Sequence, residues 1–151
     1  MSGKSIKRFL FECGLNWQAG PSAVLTAAGI KSRIRVGTAV QFGGEGTEWA
    51  PEHLFLSSVS GSFLETLLAF AKKNQLKISG FNCNCIGQVE LAGSKYKFTR
   101  IDVYPEILIP DEKLRLKTAV ILKKTHKNCL VTNSINADIY YHSEIFTNPL
   151  K

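Results

Sequence analysis

Between Arg8 and Trp17 the residues Phe9, Phe11, Cys13, Leu15 and Trp17 recur at every second position, the period at which one face of a β-strand meets a core. That predicts a strand, with Cys13 among its packing residues. Ala19-Gly20-Pro21 reads as a turn, and Ala23 to Ala27 and Ile30 to Val36 as two further strands separated by Gly29, together an antiparallel meander. After residue 50 the period changes. Phe55, Val59, Phe63, Leu67 and Phe70 recur at threes and fours, Pro51 suits a first helical turn, and Glu52 complements the positive end of the helix dipole. A helix from about Pro51 to about Lys73 follows. Ile78 to Leu91 and Lys95 to Tyr104 predict a hairpin about Ala92-Gly93-Ser94. Pro110-Asp111-Glu112 opens a second helix, with Leu114, Thr118, Ile121, Leu122 and Thr125 on one stripe and an end near Lys127. Ile135, Ala137, Ile139 and Tyr141 alternate in a final strand.

Two segments break these patterns. Gly43, Gly44 and Gly46 mark an irregular loop before the first helix. Within that helix, Ser57-Ser58-Val59-Ser60-Gly61-Ser62 is a run of small residues with poor helix propensity, costing up to about 1 kcal/mol at the glycine. Small side chains allow close approach, so the run is expected to lie buried against another helix, from this chain or a second subunit.

With 151 residues, 44% hydrophobic and 21% charged, the chain has the composition of one folded domain covering residues 1–151. Lys4, Lys7 and Arg8 precede only a short apolar stretch interrupted by Glu12, a poor signal peptide, and no unbroken apolar run reaches the roughly 18 residues of a bilayer span. A cytoplasmic protein without membrane contact is expected, its four cysteines reduced and without structural disulfides. The net charge of +7 raises the question of nucleic acid, but the basic residues are scattered. Lys72 and Lys73 close one helix and Lys123, Lys124 and Lys127 the other, where positive charge favours the dipole. Nucleic-acid binding is not expected. Cys83 and Cys85 share a strand face, but with His126 and Cys129 as the only weak candidates for further ligands they read as buried inert thiols, and no metal or cofactor is assigned.

The ordered combination of Phe42-Gly43-Gly44-Glu45-Gly46, Ala50-Pro51-Glu52-His53-Leu54 and His126-Lys127-Asn128-Cys129-Leu130-Val131 resembles the OsmC/Ohr family over roughly residues 10 to 142. The resemblance implies an α+β fold of antiparallel sheets with two long helices, an intertwined homodimer, and thiol-dependent reduction of organic hydroperoxides. It also implies roles for residues. Counting from Pro51, the position of the family's attacking cysteine falls on Ser62, that of its second cysteine on Cys129, and that of its arginine-orienting glutamate on Glu52.

Serine at position 62 closes the family's two-thiol cycle. A thiolate can become a sulfenic acid and then a disulfide, whereas a serine hydroxyl is rarely ionised and has no equivalent oxidised state. The loop where the family carries its activating arginine reads Asn16-Trp17-Gln18-Ala19-Gly20, without an arginine; Arg33 and Arg35 on the third strand are either substitutes or outward-facing strand residues. The sequence therefore predicts a non-peroxidatic family member, with a dimer-interface cleft lined near Glu52, Phe55, Ser62 and Phe63 for a small apolar or thiol ligand. The alternative is a one-cysteine peroxidase in which Cys129 attacks the peroxide and His126 assists.

Overall fold

The computed structural model describes residues 6–147; Lys4 lies outside them. Residue contacts divide the chain into two compact units, one up to Leu54 and one from Phe55 onward.

In the first unit, β1 (Cys13–Asn16), β2 (Ser22–Ala27) and β3 (Ile34–Gly37) form the expected antiparallel meander. Gly20 and Gly29, at φ of 85° and 74°, make the turns at positive φ that other residues avoid. The first strand is shorter than its period-two pattern. β1 pairs with β2 only from Cys13↔Ala27 to Asn16↔Val24, and Cys13 is exposed rather than packed. Phe9, Phe11, Leu15 and Trp17 are likewise exposed, because alternation fixes which side chains share a face but cannot supply the layer that covers them. After β3, the 3₁₀ turn Val40–Phe42 ends at Gly43, also at positive φ. Gly44 then passes so close to Thr38 that a Cβ would stand 1.7 Å from its carbonyl oxygen.

The second unit packs two helices on one face of a sheet. The helix α1 (Pro51–Lys73), which starts in the first unit, presents Val59, Phe63, Leu67 and Ala71, and α2 (Arg115–Asn128) presents Thr118, Ile121, Leu122 and Thr125. These residues meet Ile101, Val103 and Ile107 of β5 (Lys95–Leu108), while Phe81, Cys83, Cys85 and Gly87 of β4 (Gly80–Ala92) stand opposite Ile107, Pro105, Val103 and Ile101. By length and composition α1 could cross a bilayer, contrary to the sequence expectation, yet its apolar stripe is spent on this core. The small-residue run is not buried within the chain. Ser57, Ser58 and Gly61 are exposed, a Cβ on Gly61 would meet nothing within 4 Å, and the hydroxyls of Ser58 and Ser60 turn back to helix carbonyls.

The β4–β5 hairpin and the first-unit meander are antiparallel as expected, and the larger sheet adds parallel strands at one edge. β6 (Asp138–Tyr141) and β7 (Glu144–Phe146) both run parallel to β5 along the edge that β4 leaves free. The cause is the connection, since α2 lies between β5 and β6 and a helix crossover returns the chain in the same direction. β5 also continues to Leu108, past the predicted end at Tyr104, with Pro105 inside it. Val103 accepts from His142 and Ile109 donates to Phe146 on this edge, so Pro105, in phase with both, aims its missing N–H at the break between β6 and β7. There the lost donor breaks no ladder bond.

Candidate functional site

Ser62 and Cys129, 67 residues apart, are brought together in the second unit. Ser62 sits midway along α1, and Cys129 follows the last turn of α2, its N–H bonded to Thr125 at 3.0 Å. The Cys129 thiol donates to Ser62 Oγ at 3.3 Å, and the Val131 N–H donates to the same oxygen, also at 3.3 Å. Cys129 is fully buried. Its neighbours in the core are Phe63, Leu67, Ile121 and Leu122, so the pair faces hydrocarbon more than water. Ser62 Oγ is therefore held as an acceptor, and among the described residues no imidazole or carboxylate bonds to it as a base would.

The other sequence candidates occupy different surroundings. Phe63 is fully buried, with Phe81, His126 and Tyr141 stacked or tilted against it at centroid distances of 6.0, 5.7 and 5.6 Å. His126 lies flat on Tyr141 at 4.0 Å, with Nε2 placed 3.2 Å from Ser143 Oγ. Burial pushes its pKa below the usual histidine value, favouring the neutral ring. No bond between His126 and Cys129 occurs among the described residues, so the sequence spacing of three does not translate into a thiol–imidazole pair. Phe55 packs on Phe98 at 4.7 Å and lines an apolar cavity of about 320 Å³ with Ile135 and Ala137.

In the first unit, Glu52 and His53 belong to the start of α1. His53 Nδ1 accepts the Ala50 N–H at 3.1 Å, the reach-back arm that a Glu or Gln supplies in a capping box. Glu52 lines a second cavity of about 320 Å³, where its Oε2 is shielded from solvent and meets no hydrogen-bond donor among the described residues. Arg35 pairs with Glu48 at 2.6 Å, which already uses its charge.

A feature the sequence reading missed is the influence of Cys83 and Cys85 on each other's titration. Hydrogen bonding to Cys85, reinforced by burial, pushes the Cys83 thiol far up, and the same bond pulls Cys85 down. Both are half-buried rather than enclosed, and shared strand parity was the available signal. On the opposite sheet face Asp102 accepts both Arg100 (2.6 and 2.7 Å) and His142 (2.8 Å), and its carboxyl is held well below the usual range by Arg100 first and His142 second.

Residues 44–141, more than half of the chain, match the family model described as OsmC-like protein. The chain belongs to the OsmC-like family. A search of curated proteins finds no match. Among solved structures, an OsmC-like protein of unknown function from Vibrio cholerae aligns with a TM-score of 0.80 at 15% identity, over 92% of this chain and 100% of that one. An organic hydroperoxide resistance protein OsmC from Legionella pneumophila aligns at 0.72 and 13% identity, over 93% and 98%. A Vibrio cholerae protein described as an organic hydroperoxide resistance protein, with captopril bound in one of its active sites, aligns at 0.68 and 15%, over 99% and 100%. At these identities the structural likeness speaks for the OsmC-like fold alone.

Proposed function

We propose that this OsmC-like chain is a cytoplasmic homodimer that does not reduce hydroperoxides by two-thiol chemistry and instead binds a small apolar or thiol ligand. The observation that carries the first part is the Ser62–Cys129 contact: an oxygen stands where the family's cycle needs a second sulfur. Peroxide attack followed by disulfide closure needs two sulfurs within reach, and this pair has one. Arg35 is bonded to Glu48, and His126 is stacked on Tyr141 with its ring nitrogen on Ser143 rather than on Cys129.

Ligand binding is supported by the apolar cavity beside Phe55 and Phe98 and by the captopril, itself a small thiol, held by one structural relative. The dimer is supported by the exposed Phe9, Leu10 and Phe11, at 78%, 97% and 90%, since apolar side chains so far out of a core commonly mark an interface. Cys129 acting alone is the competing chemistry, and full burial opposes it.

The test is steady-state consumption of cumene hydroperoxide by the unaltered protein, with dihydrolipoamide as reductant. Turnover is expected to be no faster than that of a free surface thiol. Maleimide labelling of the folded protein should modify exposed Cys13 and spare Cys129 until denaturant is added. Rapid, saturable turnover that Cys129→Ser abolishes would refute the proposal and make Cys129 the nucleophile.

A further inference from the structure

β4 carries two thiols outside the Ser62–Cys129 contact. Cys83 and Cys85 stand two residues apart on a continuous strand, so both project from the face that packs against Val59, Ile101 and Val103. β4 is the last strand on its side of the sheet, and both cysteines are half-buried, packed in part and reached by solvent in part. A free thiol that only fills space is commonly buried outright, as Cys129 is. The spacing of the pair suits a shared ligand. Two steps along a strand separate the Cα atoms by about 7 Å, and strand side chains lean along the strand, so one sulfur leaning forward and the other back close much of that interval. Two thiolates on opposite sides of one metal ion, each about 2.3 Å from it, stand about 4.6 Å apart. The hydrogen bonding that raises the Cys83 thiol runs between these two side chains, and by lowering Cys85 it eases the proton loss that a metal ligand requires.

The number of ligands narrows the class of ion. Cys129 gives its thiol to Ser62 and packs in the neighbouring cluster of Phe63 and Leu67, and among the described residues no group of three His, Cys, Asp or Glu is placed to hold a metal ion. That speaks against the closed four-ligand arrangement of Zn2+ and for an ion satisfied by two soft ligands. We propose that Cys83 and Cys85 bind one soft monovalent metal ion, Cu(I), between their two sulfurs. Coordination replaces the thiol protons with the ion, both sulfurs entering as thiolates, and no oxidant or reductant takes part because the metal arrives already as Cu(I).

The test is anaerobic titration with Cu(I), in competition with bathocuproine disulfonate, of the full chain carrying Cys13→Ser, which removes the exposed thiol of the first unit. One ion per chain is expected, and X-ray absorption of the loaded protein should count two sulfur neighbours at copper. Cys83→Ser and Cys85→Ser should each weaken binding by about 100-fold or more, since one thiolate alone is a poor match for the chelator. Zn2+ should compete for the pair only weakly. If a serine variant does not fold, the sulfur count in the protein with both cysteines intact decides the matter. A count of one sulfur or of three, affinity unchanged in either serine variant, Zn2+ bound as tightly as Cu(I), or no Cu(I) taken from the chelator would overturn the proposal.

Discussion

Ser62→Cys restores the sulfur that the site lacks, and the structure sets how much should follow. The Ser62 oxygen already stands 3.3 Å from Cys129 Sγ, and a disulfide requires about 2.05 Å between sulfurs, so the longer C–S bond and a small torsional adjustment have to close about 1 Å. The residues are 67 apart in sequence, and closing a loop of that length removes chain entropy from the unfolded state worth about 4 kcal/mol at 25 °C. For a chain of this size each kcal/mol raises the melting temperature by about 2 to 4 °C. Native-state strain lowers the gain, so the oxidised variant is expected to melt about 5 to 15 °C above its own reduced form. The assay is thermal unfolding with and without reductant, with the disulfide identified as a mass loss of two hydrogens. Cys129→Ser in the same background should remove both effects. The peroxidase rate of the variant should nevertheless stay low, because among the described residues no Lys, Arg or His is hydrogen-bonded to Ser62 or Cys129 to activate a sulfur there. If the thiols fail to join under mild oxidant, or the oxidised form melts no higher than the reduced one, the assignment of these positions as a sulfur pair is wrong.

Gly44→Ala forces a Cβ to within 1.7 Å of the Thr38 carbonyl oxygen, where only backbone movement can relieve it, and should destabilise the chain by more than about 2 kcal/mol in urea unfolding. Gly61→Ala meets open space in the single chain and should stabilise α1 by up to about 1 kcal/mol; if sedimentation instead shows a dimer falling apart, another helix packs on that face. For His126 the folded pKa lies below the unfolded value of about 6.5, so the folded state binds fewer protons and its contribution to stability is lost as pH falls below about 6.5. His126→Phe keeps a ring on Tyr141 and should flatten that part of the stability profile between about pH 5 and 7, while any loss from Asp102, also depressed, appears only below its ordinary value near 3.8.

Local pattern was enough to find the two helices and the long hairpin, though not β7, because helix and strand periodicity is written in consecutive residues. The stripe from Phe55 to Phe70 and the proline at position 51 give α1 its observed bounds, Pro51–Lys73, and the Ala92-Gly93-Ser94 turn sits where the β4–β5 hairpin reverses. The ordered motifs around Gly43 and Gly44, Pro51 and Glu52, and Cys129 pointed to the family before any coordinates did. Quantities that depend on distant segments were not legible. Whether the Phe9-to-Trp17 face is covered, whether β6 runs parallel or antiparallel to β5, and whether Pro105 can sit inside a strand are decided by which chain segment lies alongside. The same holds for the candidate site. Sequence placed Ser62 and Cys129 in corresponding family positions, but only tertiary structure put one thiol against one hydroxyl, turned His126 onto Tyr141, and left a Glu52 oxygen shielded with no donor among the described residues. Hydrogen bonds, burial and stacking are properties of pairs brought together across the fold, and a one-dimensional pattern carries the identity of each member without the distance between them.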